Sequence, residues 1–282
     1  MSHPPIIITG MHRSGTTLLV SLLQQAGLFC GNDQEHNLES QFFIKMNEWI
    51  LNQAGARWDR PEGVAALYNE KELLEPLCCY LDFQLNTFKA HSFLGISKTL
   101  RFRSIKNLNI PWGWKDPRNL LTLPIWLKLF PDAKVVHITR HGVDVAASLR
   151  LRHRQVLKQQ LAHFQRHPLR HKLYTQPQPL LDTIRCRQLE GAFTLWEHYL
   201  QIAKQHFATL NVPVWQVRYE DLLSNPQQHL PSLLNFCGLD NQLDVSKVLT
   251  QMDSSRLYAY KKNEELSQFQ QQVTSRLQPY DY

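Results

Sequence analysis

Short strand-like runs alternate with longer helical stretches along this 282-residue chain. Apolar runs with the length of buried β-strands occupy 5–9, 112–115, 134–139 and 213–219. Apolar residues recur at helical spacing over 17–23, over 120–130 and from about 143 onward. Gly27 is a stop signal for the first of these helices. The pattern therefore predicts strands separated by helices, with a further helical region between about 33 and 105.

A last core helix is expected near 226–237. Pro226 suits its first turn, and Gly238 suits a left-handed stop after Cys237. Pro231 indicates a kink or a later start, because proline lacks the N–H that a helix interior uses. The tail from Lys261 to Tyr282 is polar and rich in glutamine, and its order is left open.

Alternating strands and helices predict an α/β fold, a parallel sheet flanked by helices as in P-loop proteins, with a helical insert. We expect one domain over 1–282. Its core comprises about 5–30, 110–150 and 212–239, and further helical segments comprise about 33–105 and 151–205. Ligands of such sheets bind at the carboxyl ends of the strands. The residues expected at that edge are Gly10, Lys115, Arg140 and Tyr219.

The segment GMHRSGTT, residues 10–17, joins the first strand to the first helix. Its two glycines have the spacing of a Walker A loop, but Thr16 stands where that loop has lysine, and Arg13 supplies the cation instead. Backbone N–H groups of such a loop converge on an anion, and the helix dipole assists. The segment predicts a phosphate-binding loop, with a chance match as the alternative.

The strand 134–139 is followed by Arg140, where a magnesium-dependent nucleoside triphosphatase has an acidic metal ligand. An arginine repels Mg²⁺ and attracts a second phosphate. Two cationic sites favour a nucleotide that carries separate anionic groups, and no metal is expected.

These motifs resemble those of the sulfotransferase family, which uses 3′-phosphoadenosine 5′-phosphosulfate as the sulfuryl donor. The resemblance runs from residue 6 to about residue 239. It rests on five segments: HRSGTT from His12, WKDPR from Trp114, FPDAKVVHITR from Phe130, RHGVDVAAS from Arg140, and VRYEDLLSNP from Val217. His12 and Gly142 stand where the family often has proline, so loop geometry is where this chain departs from the pattern.

The resemblance implies roles for individual residues. The loop would bind the 5′-phosphosulfate, Arg140 and Ser148 the 3′-phosphate, and Tyr219 would pack near the nucleotide. Lys115 would stabilise charge on the leaving phosphate, unless it pairs structurally with Asp116. The loop residues in question are Arg13, Ser14, Gly15, Thr16 and Thr17. A basic segment near the C-terminus often closes over the 3′-phosphate in this family, and Arg256 or Lys261 would serve here.

The general base is expected to be a glutamate. Branches of the family that act on phenols have histidine two residues after a lysine, whereas this chain has Pro117 two residues after Lys115. Branches that act on sugars and protein tyrosines use a glutamate after the first helix, which corresponds to Glu39. Glu35 and His36 are the alternatives, and a first-turn glutamate that complements the helix dipole is the structural interpretation. The catalytic set is therefore Glu39, Lys115 and Arg13.

A formal net charge of +7 suits an anionic donor, and also an anionic acceptor. The acceptor is expected to carry a hydroxyl, or an amine, on a glycan, lipid or peptide. The segment 150–172 holds seven Lys/Arg and four His without an acidic residue. It reads as a solvated helical insert, with a cationic wall for the acceptor or a nucleic-acid surface as alternatives. Few aromatics interleave its charges, so nucleic acid is not expected, and Pro168 interrupts the His163, His167 and His171 spacing that zinc would require.

Five cysteines without metal spacing argue against a disulfide framework. The apolar stretches are too short to span a bilayer, and a loop that begins at residue 10 leaves no room for a signal peptide. The sequence thus predicts a cytoplasmic sulfotransferase. A P-loop-type kinase and a non-catalytic nucleotide-binding protein are the competing interpretations.

Overall fold

The computed structural model describes residues 3–173, 181–239 and 254–282. The chain divides into two compact units. The first consists of Met1–Arg140 and Tyr199–Leu257, and the second of His141–His198 and Tyr258–Tyr282. The expectation of a single domain over 1–282 stays a prediction, and each unit is described by itself below.

A four-stranded parallel sheet forms the centre of the first unit. Its strands are β1 (Ile6–Thr9), β2 (Gly113–Lys115), β3 (Lys134–Thr139) and β4 (Val214–Arg218), in the spatial order β2-β1-β3-β4. All three neighbouring pairs run parallel. The four expected strands are confirmed to within one residue at each end, and with them the predicted α/β class.

The strand register aligns the carboxyl ends of the sheet. Ile8 lies opposite Lys115 on one side and Val136 on the other, and Thr139 lies opposite Arg218. The residues that follow β1, β3 and β4 therefore leave the sheet at the edge where β2 ends. This is the edge at which parallel sheets bind their ligands.

Helices precede, connect and follow the strands. In chain order they are α1 (Thr16–Gln25), α2 (Gln41–Gln53), α3 (Val64–Leu67), α4 (Lys71–Asn86), α5 (His91–Phe102), α6 (Asn119–Leu129), α7 (Gly142–Arg166), α8 (Pro168–Leu173), α9 (Leu189–Thr209), α10 (Tyr219–Ser224), α11 (Pro226–Cys237), α12 (Glu264–Gln272) and α13 (Thr274–Leu277). The two longest, α7 and α9, occupy the region expected to be a helical insert.

Buried side chains cover both faces of the sheet, since successive residues of a strand point to opposite sides. On one face Ile7 and Trp114 pack with residues of α2 and α6, and the ring of Phe43 stacks on Trp114 at 4.1 Å. On the other face Ile6 and Ile8 pack with residues of α1 and α11. Two apolar layers thus fix the sheet and leave its carboxyl edge to polar residues.

Helix α11 begins at Pro226, where the missing N–H costs no hydrogen bond because the first turn of a helix has no intrahelical acceptor for it. Pro231 lies in the interior of the same helix. The expected start at Pro226 is confirmed, and the later start that Pro231 left as an alternative is wrong. Gly238 adopts the left-handed conformation (φ 66°) and ends the helix as expected.

The tail from Lys261 to Tyr282 is helical, and it belongs to the second unit. There Arg276 bonds to Glu190 at 2.6 Å and to Glu197, both on α9. Gly142, which replaces a proline frequent in the family, lies against Phe193 and Trp196: a Cβ at this position would come within 2.7 Å of each ring. Any larger residue would therefore displace these rings.

All five cysteines are free thiols. Within the described ranges, the helices are too short or too polar for any of them to cross a membrane.

Candidate active site

The loop between β1 and α1 is shaped by two close approaches of its backbone. A Cβ at Gly10 would lie 2.4 Å from the Ile138 carbonyl oxygen of β3, and a Cβ at Gly15 would lie 2.4 Å from the Tyr219 ring. Gly15 also has φ +100°, which disfavours any residue with a side chain. The glycine spacing read from the sequence thus corresponds to real contacts with β3 and with the residue after β4.

Arg13 and Ser14 play different parts in this loop. Arg13 has φ +72° and an exposed side chain, so the loop holds its cation outward in a backbone conformation that non-glycine residues seldom adopt. Ser14 is buried, and its hydroxyl donates to the Met11 carbonyl at 2.6 Å. The Ser14 hydroxyl therefore tightens the turn, and the exposed side chains of Arg13 and Thr17 are the ones the loop offers to a ligand.

Lys115, at the end of β2, joins the loop to Glu39. Its Nζ donates to Glu39 Oε1 at 2.7 Å, to the Asn37 carbonyl at 2.9 Å and to Thr17 Oγ1 at 3.4 Å. The lysine side chain is 2% exposed and the glutamate side chain 12%. Two of the three residues expected to be catalytic thus form a nearly buried ion pair beside the first turn of α1.

Opposing effects act on the pKa of the Lys115 ammonium. Burial lowers the pKa of the Lys115 ammonium, and Glu39 and Asp116 counteract this. Arg13 lowers that pKa further, so the loop cation lies within electrostatic range of Lys115. A site that holds two cations near one carboxylate is suited to a ligand of high negative charge.

Glu39 lies just before α2, whose N-cap is Ser40; the Ser40 hydroxyl accepts from the Phe43 N–H at 3.4 Å. Of the three candidate bases, Glu39 is the one whose side chain bonds to Lys115. Glu35 is half-buried and His36 exposed in the same loop, where the Glu35 N–H donates to the Glu39 carbonyl at 3.0 Å. The geometry therefore favours Glu39.

A buried network of polar side chains, which the sequence analysis did not predict, connects α2 with the residues that follow β2. Asn47 of α2 is fully buried and donates to Asp116 at 2.9 Å and to Asn119 at 2.8 Å. Asn119 in turn donates to the Ile8 carbonyl of β1 at 3.1 Å. Asp116 accepts from Arg118, while the hydrogen bonds of Lys115 go to Glu39, Asn37 and Thr17. The alternative in which Lys115 pairs structurally with Asp116 is therefore not seen as a hydrogen bond, although Asp116 acts on Lys115 electrostatically. No local sequence pattern indicates this network, because Asn47 lies in an otherwise amphipathic helix and is 69 residues from Asp116.

Arg140 and Tyr219 meet beyond β3 and β4. The guanidinium carbon of Arg140 lies 4.7 Å from the centroid of the Tyr219 ring, the ring that also abuts Gly15. Arg140 donates to the Arg256 carbonyl at 2.8 Å, so the backbone of one expected C-terminal candidate contacts it. Gly15, Arg140 and Tyr219 are thus connected through one set of contacts at the carboxyl edge.

Two further candidates belong to the second unit. Ser148 is half-buried on α7, and Lys261 lies over the Tyr258 ring, 4.7 Å from its centroid. Their expected roles at the 3′-phosphate stay predictions. In the same unit, Asp144 of α7 accepts from the N–H groups of Ala259 and Tyr260 at 3.2 and 2.8 Å, which fixes the chain just before Lys261.

The basic segment 150–172 forms the second half of α7 and most of α8. The rings of His163 and His167 lie 4.8 Å apart. Among the described residues, no group of three or more His, Cys, Asp or Glu side chains is arranged to hold a metal ion.

Known proteins were compared with this chain by sequence and by structure. The model of the sulfotransferase family matches residues 4–243. The comparison with curated proteins gives no match.

Among solved structures, a sulfotransferase from Alicyclobacillus acidocaldarius is 17% identical, with 99% of this chain and 96% of that chain covered and a TM-score of 0.47. The sulfotransferase domain of the Synechococcus PCC 7002 olefin synthase is 22% identical, with 92% and 80% covered and a TM-score of 0.43. The sulfotransferase domain from the curacin biosynthetic pathway is 17% identical, with 91% and 81% covered and a TM-score of 0.47.

Proposed function

Because this chain belongs to the sulfotransferase family and is a sulfotransferase, we propose that it takes the sulfuryl group from 3′-phosphoadenosine 5′-phosphosulfate. The acceptor we propose is a hydroxyl, or an amine, on a glycan, lipid or peptide. The observation that carries the proposal is the contact of Lys115 with both Glu39 and Thr17 of the phosphate loop. This contact gives a proton acceptor and a cation side by side at a predicted phosphosulfate site.

We propose a separate role in the reaction for each of these residues. The Glu39 carboxylate accepts the proton of the attacking hydroxyl as the new O–S bond forms. The S–O bond to the 5′-phosphate breaks, and the Lys115 ammonium stabilises the charge that develops on that phosphate. Arg13, Thr17 and the N–H groups of Gly15 and Thr16 hold the phosphosulfate in line, whereas the Ser14 N–H donates to the Met11 carbonyl at 3.1 Å and closes the turn. Adenosine 3′,5′-bisphosphate is the second product.

For the 3′-phosphate we propose Arg140 of the first unit, with Tyr219 packed against the nucleotide. Ser148 of the second unit stays a candidate for the same phosphate through the family resemblance alone. The cation of Arg140 supports this, as does its contact with the Tyr219 ring next to Gly15. Arg140 stands where a magnesium-dependent enzyme needs an acidic ligand, so a donor bound without metal fits these residues better than Mg-ATP. The five free thiols support a reducing compartment, for which we propose the cytoplasm.

Calorimetric titration with adenosine 3′,5′-bisphosphate tests the donor site. We expect metal-independent binding that weakens at least about tenfold in Arg140→Ala and in Arg13→Ala, since each change removes a charge-assisted bond to an anion. Lys128→Ala is the matched control, because it removes a cation from α6, away from the carboxyl edge. Binding of Mg-ATP without binding of the bisphosphate would contradict the proposed donor.

A further inference from the structure

The basic segment, extended by one residue to 150–173, carries several large apolar side chains that are strongly exposed to solvent. They lie on α7 from Leu151 onward and on α8, with these exposed fractions: Leu151 57%, Leu161 46%, Phe164 43%, Leu169 70% and Leu173 75%. Soluble proteins seldom expose several large apolar residues within one short segment unless the segment binds something.

The exposed residues follow from the helical geometry of α7. His153 is buried and Leu157 half-buried, so this side of α7 packs inward as far as Leu157. Leu161 and Phe164 continue the same side at i+4 and i+7, and there they are exposed. In α8, Leu169 and Leu173 are likewise one turn apart. An apolar stripe therefore continues from the core of the second unit onto its surface.

Positive charge surrounds this stripe. Residues 150–173 contain seven Lys/Arg and no Asp or Glu. Arg150 bonds to Glu265 at 2.5 Å within the second unit, which neutralises one of the seven. Exposed cations on both helices remain, among them Arg154, Lys158 and Lys172.

We propose that residues 150–173 dock this protein on an anionic lipid surface. Lys and Arg would contact the lipid phosphates, and Leu161, Phe164, Leu169 and Leu173 would enter the headgroup region. A basic helical segment with protruding leucine and phenylalanine has the composition of an interfacial membrane binder. The proposal does not depend on the donor or on the acceptor proposed above.

A bilayer fits these observations better than a nucleic acid does. The phosphate backbone of a nucleic acid would satisfy the cations but leave the apolar side chains in water, whereas an anionic membrane offers phosphate above hydrocarbon. A fully solvated insert would satisfy the cations as well, but it would gain nothing from exposed apolar residues at these positions.

Co-sedimentation with vesicles tests the proposal on the full chain without donor. We expect binding to phosphatidylcholine vesicles that contain about one-quarter phosphatidylserine at about 0.15 M salt, and at least about tenfold weaker binding to phosphatidylcholine alone. The double variant Leu161→Ser with Phe164→Ser keeps every charge and should lower the partition coefficient at least about tenfold. The matched control is Ile96→Ser with Leu100→Ser, which removes two side chains of the first unit that are 82% and 77% exposed; it should bind as the unaltered protein does.

Three outcomes would overturn the proposal. The first is no binding to the phosphatidylserine vesicles, or tighter binding to duplex DNA or polyglutamate at the same salt. The second is a Leu161/Phe164 variant that binds like the unaltered protein, which would reduce the interaction to adsorption by net charge. The third is equal loss in the Ile96/Leu100 control. Thermal unfolding midpoints within about 2 °C of the unaltered protein would show that the variants are folded.

Discussion

At the scale of single residues, Glu39 and Lys115 connect the sequence to the chemistry most directly. They are 76 residues apart, and they meet because Glu39 ends the loop before α2 while Lys115 ends β2. Lys115 belongs to the WKDPR segment, whereas Glu39 lies in a loop without a regular pattern. Their contact beside Thr17 brings the expected general base and the expected phosphate-stabilising lysine together, and substitutions can test this arrangement.

Glu39→Gln should separate proton transfer from binding. The amide keeps the size of the carboxylate and a hydrogen bond to Lys115, but it accepts no proton from an attacking hydroxyl. We expect the rate of sulfuryl transfer to fall at least about 100-fold while the affinity for adenosine 3′,5′-bisphosphate changes less than about threefold. Initial rates of bisphosphate release, with an acceptor found by screening, and calorimetry measure the two quantities.

Glu35→Gln is the matched control, because Glu35 lies in the same loop while the hydrogen bonds of the Lys115 ammonium go to Glu39, Asn37 and Thr17. It should retain the rate. Equal losses in both variants would mean that the loop, rather than the Glu39 carboxylate, limits the reaction.

Single residues also differ in whether their positions could be predicted from the sequence. The positions of the loop and of Arg140 at strand ends were predictable from the sequence pattern, and Glu39 was named from the resemblance to branches of the family. Their roles stay predictions. Asn47 was not predictable, since an asparagine on an amphipathic helix carries no local mark of full burial. Its bonds to Asp116 and Asn119 depend on packing between α2 and α6, which only the folded chain defines.

At the scale of elements, Gly15 fixes the junction between the phosphate loop and α1. Gly15→Ala adds the cost of a left-handed residue, about 1 kcal/mol, and places a methyl group 2.4 Å from the Tyr219 ring. We expect a lower free energy of unfolding and at least about tenfold weaker bisphosphate binding, because Tyr219 must move with Arg140. Urea unfolding and calorimetry provide the measurements.

Gly27→Ala provides the comparison, because Gly27 also has positive φ (+94°) but nothing within 4 Å of an added Cβ. It should destabilise the protein by about 1 kcal/mol and leave nucleotide affinity unchanged. If both variants bind nucleotide equally well, the contact between Gly15 and Tyr219 does not shape the site.

Element positions were largely predictable from periodicity, and element details were not. The four strands appear where their apolar runs lie, because a short buried run between helical stretches leaves few other arrangements. Pro231 left the start of α11 open between Pro226 and a later residue, and packing of Leu230, Leu233 and Leu234 holds the helix across this proline. In α5, Gly95 interrupts the helical geometry with φ +69°, next to Asn32, a contact invisible in the sequence.

At the scale of the whole molecule, two buried histidines should make stability depend on pH. Burial lowers the pKa of His137, which packs against the Phe207 ring, to about 4, and burial likewise lowers that of His206 to about 4. Unfolded imidazoles bind protons near pH 6.5, whereas the folded ones do so only near pH 4. The free energy of unfolding therefore has its full value above about pH 6.5 and decreases as the pH falls toward about 4.

Between pH 7 and pH 5 we expect each histidine to remove about 2 kcal/mol from the free energy of unfolding. Urea denaturation at several pH values measures this loss. His137→Leu should make the loss shallower by roughly half, whereas His36→Ala, which changes an exposed imidazole, should not alter it. An unchanged pH dependence in His137→Leu would assign the effect to other groups.

The position of β1 in the sheet has a consequence for synthesis on the ribosome. β1 is translated first, yet it pairs with β2 from Gly113 and with β3 from Lys134. At about 5–20 residues per second, the Ile6–Ile8 segment waits roughly 6–25 s for β3 to be made. For most of that interval β1 lacks both neighbours, because β2 is itself made only shortly before β3. The nascent chain then carries an apolar strand with two unpaired edges, which favours aggregation until β2 and β3 have been made.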